Sequence, residues 1–229
     1  MAAPTIGYTK ATNPTSNGTS IDIPSVSVNS GNDRILVLFL TTPKPSGNVN
    51  GTHNAVTYGG QTMTNHSNIT RAGGLSSRMS CWYIVNPTST QATATITFGG
   101  TGLFGSISCY FQAFTNCGGL GQKALSGGAT SPRTGTLTVE QDSLIVTTST
   151  SGALILTMQI PDGTNKSFVT HNTGKQVGIA FSESTNPTTG FNAGTISLRT
   201  TAANSVSLDR FEIKGLGGSG SSRRRIIIC

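Results

Sequence analysis

The segment from Arg78 to Gly99, RMSCWYIVNPTSTQATATITFG, constrains the fold more than any other. In its second half Ala92, Ala94, Ile96 and Phe98 alternate with Thr93, Thr95 and Thr97. A period of two sends successive side chains to opposite faces of a strand, here one apolar face and one hydroxyl face. In the first half Met79, Cys81, Tyr83 and Val85 alternate with Ser80, Trp82 and Ile84, so both faces carry bulky groups. Asn86-Pro87 stops that strand, because proline has no amide to donate and holds its predecessor extended. The segment reads as a β-hairpin carrying the single tryptophan.

The rest of the chain has the same character. Asp33 to Thr42, DRILVLFLTT, is the strongest apolar run, and its length and β-branched content suit a central strand buried on both faces. AVTYGGQTMT, Ala55 to Thr64, reads as strand, Gly59-Gly60 turn and second strand. Further strands are expected around Ser20–Val28, Leu103–Phe114, Thr136–Val139, Ser143–Ser149, Ala153–Ile160, Val177–Ser182, Thr195–Arg199 and Ser205–Ile213. Asn116 to Thr134, with five glycines, has no periodicity and reads as a long irregular loop.

Charged residues are 10% of the chain against about 25% in ordinary soluble domains. Ser, Thr, Asn and Gly take their place, a mixture that favours strands and turns over helices. About a dozen short strands imply an all-β fold: an antiparallel two-sheet β-sandwich, Greek-key or jelly-roll-like, with extended N- and C-terminal arms. The division is an N-terminal arm at 1–17, a β-sandwich domain at 18–215, and a Gly/Ser linker with a basic-apolar tail at 216–229. The inner faces are expected to meet through Leu36, Leu38, Trp82, Ile84, Phe98, Phe111 and Ile145.

The formal net charge is +7, but Arg223, Arg224 and Arg225 supply three of the fifteen basic residues. Without them twelve basic residues face eight acidic ones, a balance of +4, with no basic stripe of the kind that reads nucleic acid. Cys81, Cys109, Cys117 and Cys229 form no CxxC pair, which argues against a zinc site. The Cys81 and Cys109 thiols suit buried strand positions, and a disulfide is not specified by spacing. No apolar signal-peptide core opens the chain, and no run of about eighteen apolar residues suggests a membrane span.

Nothing in the residues suggests a reaction class. His53, His66 and His171 stand in polar, loop-like contexts without HxH or HExxH spacing, and each reads as solvated rather than ligating. Asp33 and Asp142 sit where aspartate caps turns. The nearest imitation of a nucleophile elbow, Gly217-Gly218-Ser219-Gly220, lies in the linker. No catalytic residue, cofactor-binding residue or metal ligand is assigned, and no cofactor is expected. Two features could bind a partner. Trp82, Tyr83, Tyr58, Tyr110 and Phe114 could present an aromatic platform to a sugar, although core filling is the plainer reading. The tail residues Arg223, Arg224, Arg225, Ile226, Ile227 and Ile228 combine positive charge with a β-branched segment able to add a strand to a neighbour's sheet. A solvated tail is the plainer reading there, a docking arm the alternative, and contact with packaged nucleic acid through the arginines a third.

The order SVSVNSGNDRILVLFLTT, AVTYGGQTMT, CWYIVNPTSTQATATITFGG, ISCYFQAFTNC resembles a β-sandwich domain found in phage virion proteins and in bacterial surface or secreted proteins. The resemblance rests on Asp33-Arg34, Val56 to Gly60, Trp82 to Pro87 and Ala92 to Phe98, and spans roughly residues 18 to 215. Thr115-Asn116-Cys117-Gly118 stands where that family tends to have an acidic turn. The resemblance implies a non-catalytic structural component of a phage virion: a capsid decoration, head-fibre or tail protein made in the host cytoplasm. Its expected partners are other copies of itself and neighbouring virion proteins, with no membrane. A carbohydrate- or host-surface-binding module is the alternative, and a hydrolase on a sandwich scaffold ranks third.

Overall fold

The structure is a computed structural model. It describes residues 4–14, 18–43, 52–70, 77–99, 107–128, 138–139, 143–151, 155–159, 168–172, 176–183, 191–192, 197–200 and 206–216. Every regular element among them is a strand. In chain order these are β1 (Thr5–Thr12), β2 (Ser20–Ser27), β3 (Ile35–Pro43), β4 (Thr52–Tyr58), β5 (Gln61–Thr62), β6 (Thr64–Thr70), β7 (Ser77–Val85), β8 (Gln91–Gly99) and β9 (Ser108–Thr115). There follow β10 (Cys117–Gly128), β11 (Thr138–Val139), β12 (Leu144–Ser151), β13 (Ile155–Gln159), β14 (Phe168–Asn172), β15 (Gln176–Glu183), β16 (Phe191–Asn192), β17 (Ser197–Thr200) and β18 (Val206–Gly215).

The first nine strands form two antiparallel sheets, ordered β1-β9-β3-β7-β6 and β2-β8-β4-β5. Setting β6 aside, each sheet has four strands, and the connections from β1 to β4 and from β7 to β9 change sheet at every step. That is the strand order of a jelly roll, which divides eight strands between two facing sheets. A third antiparallel sheet, β10-β18-β12-β15-β14, packs on the outer side of the first, with β11-β16 and β13-β17 as separate pairs. The all-β sandwich expected from the periodicity is thus present, with a third layer added to it.

The middle sheet explains the long apolar run. Ile35 to Leu40 of β3 are at most 1% exposed. Leu36, Leu38 and Leu40 join the core against the β2-β8-β4-β5 sheet, while Ile35, Val37 and Phe39 join a second core with Leu144, Val146, Phe211 and Ile213. A strand covered on both faces has no polar phase to keep, hence the unbroken hydrophobicity. Burying each such side chain contributes about 1.5–3 kcal/mol. Six of the seven expected inner-face residues, Leu36, Leu38, Trp82, Ile84, Phe98 and Phe111, meet in the first core. The Ile145 side chain lies outside the described residues.

The Arg78–Gly99 segment is two strands but not a hairpin. β7 pairs with β3 and β6, whereas β8 pairs with β2 and β4. Asn86 adopts φ 47° and redirects the chain from one sheet to the other. The reason is burial: β7 is bulky on both faces and needs a sheet covered twice, while β8 has one hydroxyl face and suits an outer sheet. A tight hairpin is instead formed by β4-β5, where Tyr58 pairs with Gln61 across Gly59 and Gly60 at φ 56° and 79°. Positive φ at both central residues is the two-residue hairpin geometry that glycine permits.

Two further readings change. Residues 5–12, within the stretch read as an arm, are extended but paired to this chain's own β9, and Gln112 fastens them by donating to the Tyr8 carbonyl at 3.0 Å. The glycine-rich loop expected at 116–134 contains the twelve-residue β10 instead, paired with β18 through two register shifts. Its glycines make room for a neighbour: a Cβ on Gly121 would overlap the Glu212 carboxylate, and one on Gly118 would press on the Gly215 carbonyl.

Candidate functional site

Among the described residues, two buried polar clusters contain a histidine, one beside each core, and in both a β-bulge decides where that histidine points. In β4 the register against β8 slips between His53 and Ala55. His53 therefore pairs with Phe98 and turns inward with it, the two rings meeting edge to face at 5.8 Å. Strict alternation counted back from Val56 would have put it outside. Its Nδ1 lies 2.6 Å from the Ser80 hydroxyl and its Nε2 2.9 Å from that of Thr42. Trp82 Nε1 donates to the same Ser80 oxygen at 2.8 Å. Indole can only donate, and the Ser80 hydroxyl keeps one hydrogen and a second lone pair, so it donates to Nδ1 or accepts from it according to the ring tautomer. Burial, with the nearby Arg78 guanidinium second, lowers the His53 pKa to about 3, so the ring is neutral.

A serine 2.6 Å from a neutral histidine has the spacing of a nucleophile and its base. Ser80 is 0% and His53 4% exposed, however, so a substrate carbonyl has no approach to the pair. The cluster satisfies polar groups inside a core, as buried polar groups require.

The second cluster lies between the middle and third sheets. The β6 register slips between Asn65 and Ser67 against β7. The bulge turns His66 and Ser67 to the same side, toward β18, where strict alternation would separate them. The Ser67 hydroxyl donates to Asp209 Oδ2, and Oδ1 has no partner among the described residues. Burial raises the Asp209 carboxyl to about 6, against the opposing Ser67 hydrogen bond and the Lys123 charge. The His66 ring packs on Phe211 at 4.9 Å and Tyr83 at 6.0 Å. Burial, then Lys123, lowers its pKa to about 4. Lys123 Nζ donates to the His66 carbonyl at 2.7 Å, closing the seam from β10. On the far side of β18, Glu212 accepts from Ser143 Oγ at 2.6 Å and from the Gln122 amide at 3.1 Å.

The histidines read as solvated loop residues are therefore strand residues, and His53 is a core residue. The sequence carried no signal for this, since the phase of a strand beyond a bulge depends on its partner. The five aromatics considered as a sugar platform are divided between the two cores: Trp82, Tyr58 in one, Tyr110, Phe114 and the half-buried Tyr83 in the other. Cys81, Cys109 and Cys117 are buried free thiols, and burial raises all three, Cys117 to about 12. The described residues hold no cluster of three or more His, Cys, Asp or Glu suited to a metal. The tail residues Arg223 to Ile228, and Cys229, lie outside the described residues.

Comparison with known proteins returned no matching family model, no matching curated protein and no matching solved structure.

Proposed function

We propose that this chain is a non-catalytic structural component of a phage virion, a decoration, head-fibre or tail protein acting through subunit assembly. The observation that carries the reading is the strand order β1-β9-β3-β7 facing β2-β8-β4-β5. Jelly rolls of this kind serve as capsid domains, and also as lectin domains and cupins, so the support is architectural. The sequence resemblance across residues 18–215 points the same way. The polar clusters add to it: their hydroxyls, imidazoles and carboxylates are turned inward and hold sheets together. Its partners are other copies and neighbouring virion proteins, with the basic-apolar tail as the reaching element.

The test is truncation after Gly215 in a host producing the particles. Loss of the chain from purified particles, with its circular dichroism unchanged, supports assembly. Retained incorporation together with specific binding on a glycan array favours the carbohydrate-binding module instead.

A further inference from the structure

We propose that the outer edge of β10, from Lys123 to Gly128, accepts an added strand, and that its occupant is the Arg223–Ile228 segment of a second copy of this chain. The inference rests on the assembly reading and names the contact.

Sheet edges in this molecule differ in how far they are closed. β1 and β2 are fastened to one another: Asn29 Oδ1 accepts from the Tyr8 amide at 3.2 Å, and Lys10 Nζ reaches the Pro24 carbonyl. Pro24 and the bulge at Ser25, φ 54°, further disable β2 as a template. Among the described residues β10 shows none of these devices beyond Lys123. Among the described residues it is paired on one side only, by β18. From Lys123 to Gly128 that pairing runs residue for residue from Phe211 to Val206 without a bulge. The six residues KALSGG include no proline and one charge, the Lys123 amine already engaged by His66. A regular edge stretch with a single charge is a template for pairing. Leu125, on the same flank, is 46% exposed and offers an apolar contact beside it.

The occupant follows from charge, branching and reach. Ile226, Ile227 and Ile228 are β-branched and suit an added strand. Three adjacent arginines disfavour pairing of one tail with another, since like charges opposite each other destabilise a ladder. The segment lies beyond Gly215, which pairs with Cys117 at the start of β10. The six residues 217–222 span at most about 20 Å, enough to clear two strand spacings of about 4.8 Å. A chain's own tail, leaving from that end, would run parallel to β10 and begin beside its two bulged steps. A second copy can enter antiparallel along the regular stretch, the more stable pairing.

The experiment uses the full chain and its Leu125→Lys and Ile227→Lys variants, with sedimentation velocity as the readout and circular dichroism as the control for folding. The expected result is a wild-type oligomer at micromolar concentration and at least a tenfold weaker association in either variant, with little further loss when the two are combined. A Leu125→Cys variant, oxidised, is expected to give a disulfide between position 125 and Cys229 of different chains, the other three thiols being buried. An oligomer indifferent to both lysine variants overturns the edge assignment and leaves the assembly reading standing. A 125–229 disulfide within one chain overturns the exchange between copies. A monomeric wild type overturns the edge assignment, while incorporation into particles still decides the assembly reading separately.

Discussion

Arg34 and Asn86 bond to each other twice, once between backbones and once through the Asn86 side chain: the Asn86 amide donates to the Arg34 carbonyl at 2.8 Å, and the Arg34 amide donates to Asn86 Oδ1 at 2.9 Å. The Arg34 guanidinium, also buried, donates to the Asn29 and Pro87 carbonyls. The pair thus fixes the turn before β3 to the point where the chain leaves the middle sheet for the outer one.

Asn86→Ala is expected to lower stability by about 2–3 kcal/mol, from a lost hydrogen bond and an alanine forced to positive φ. Asn86→Gly keeps the conformation and loses only the bond, so it should cost about 1 kcal/mol. Denaturant midpoints at constant m-value distinguish the two. Equal losses would show that backbone strain plays no part.

His53 predicts a pH dependence. Its pKa is about 3 in the fold against 6.5 in the unfolded chain, so the unfolded state binds the extra proton. Its contribution is complete above pH 6.5 and is lost as pH falls from 6.5 toward 3, about 2 kcal/mol by pH 5. His66, at about 4, acts in the same direction over a narrower window. In His53→Gln the fall in unfolding free energy between pH 7 and 5 should be visibly shallower than in the parent. An unchanged slope would mean that the ring is charged or solvated.

Asp209 works in the opposite sense. With a carboxyl raised from 3.8 to about 6, the folded state holds the proton through that interval. This group therefore adds stability as pH falls from 6 toward 4, and its burial weakens the seam at neutral pH. Asp209→Asn can still accept from Ser67, and its stability relative to the parent should decline by about 2 kcal/mol between pH 7 and 4. A constant difference across that range would contradict the burial of the carboxylate.

Gly121→Ala is expected to push the Glu212 carboxylate off the Ser143 hydroxyl and the Gln122 amide. Leaving a buried carboxylate short of partners costs about 2–4 kcal/mol, and more if the β10–β18 ladder shifts. Hydrogen exchange should show the loss concentrated in β10 and β18. Unchanged protection there would mean that the space at Gly121 is not needed.

The amino-acid order alone determined the strand-rich class, the doubly buried β3 and the Gly59-Gly60 hairpin. Each follows from interactions within a few residues: side-chain alternation, an unbroken apolar run, and backbone freedom at glycine. Tertiary structure alone decided that β7 and β8 belong to different sheets, that Cys117–Gly128 is a strand, and that His53 and His66 face inward. A bulge inverts the phase of a strand by reference to its partner, and the space beside a glycine is filled by a side chain from elsewhere, such as Glu212 at Gly121. Neither is written in the local pattern, because both depend on residues distant in sequence coming into register.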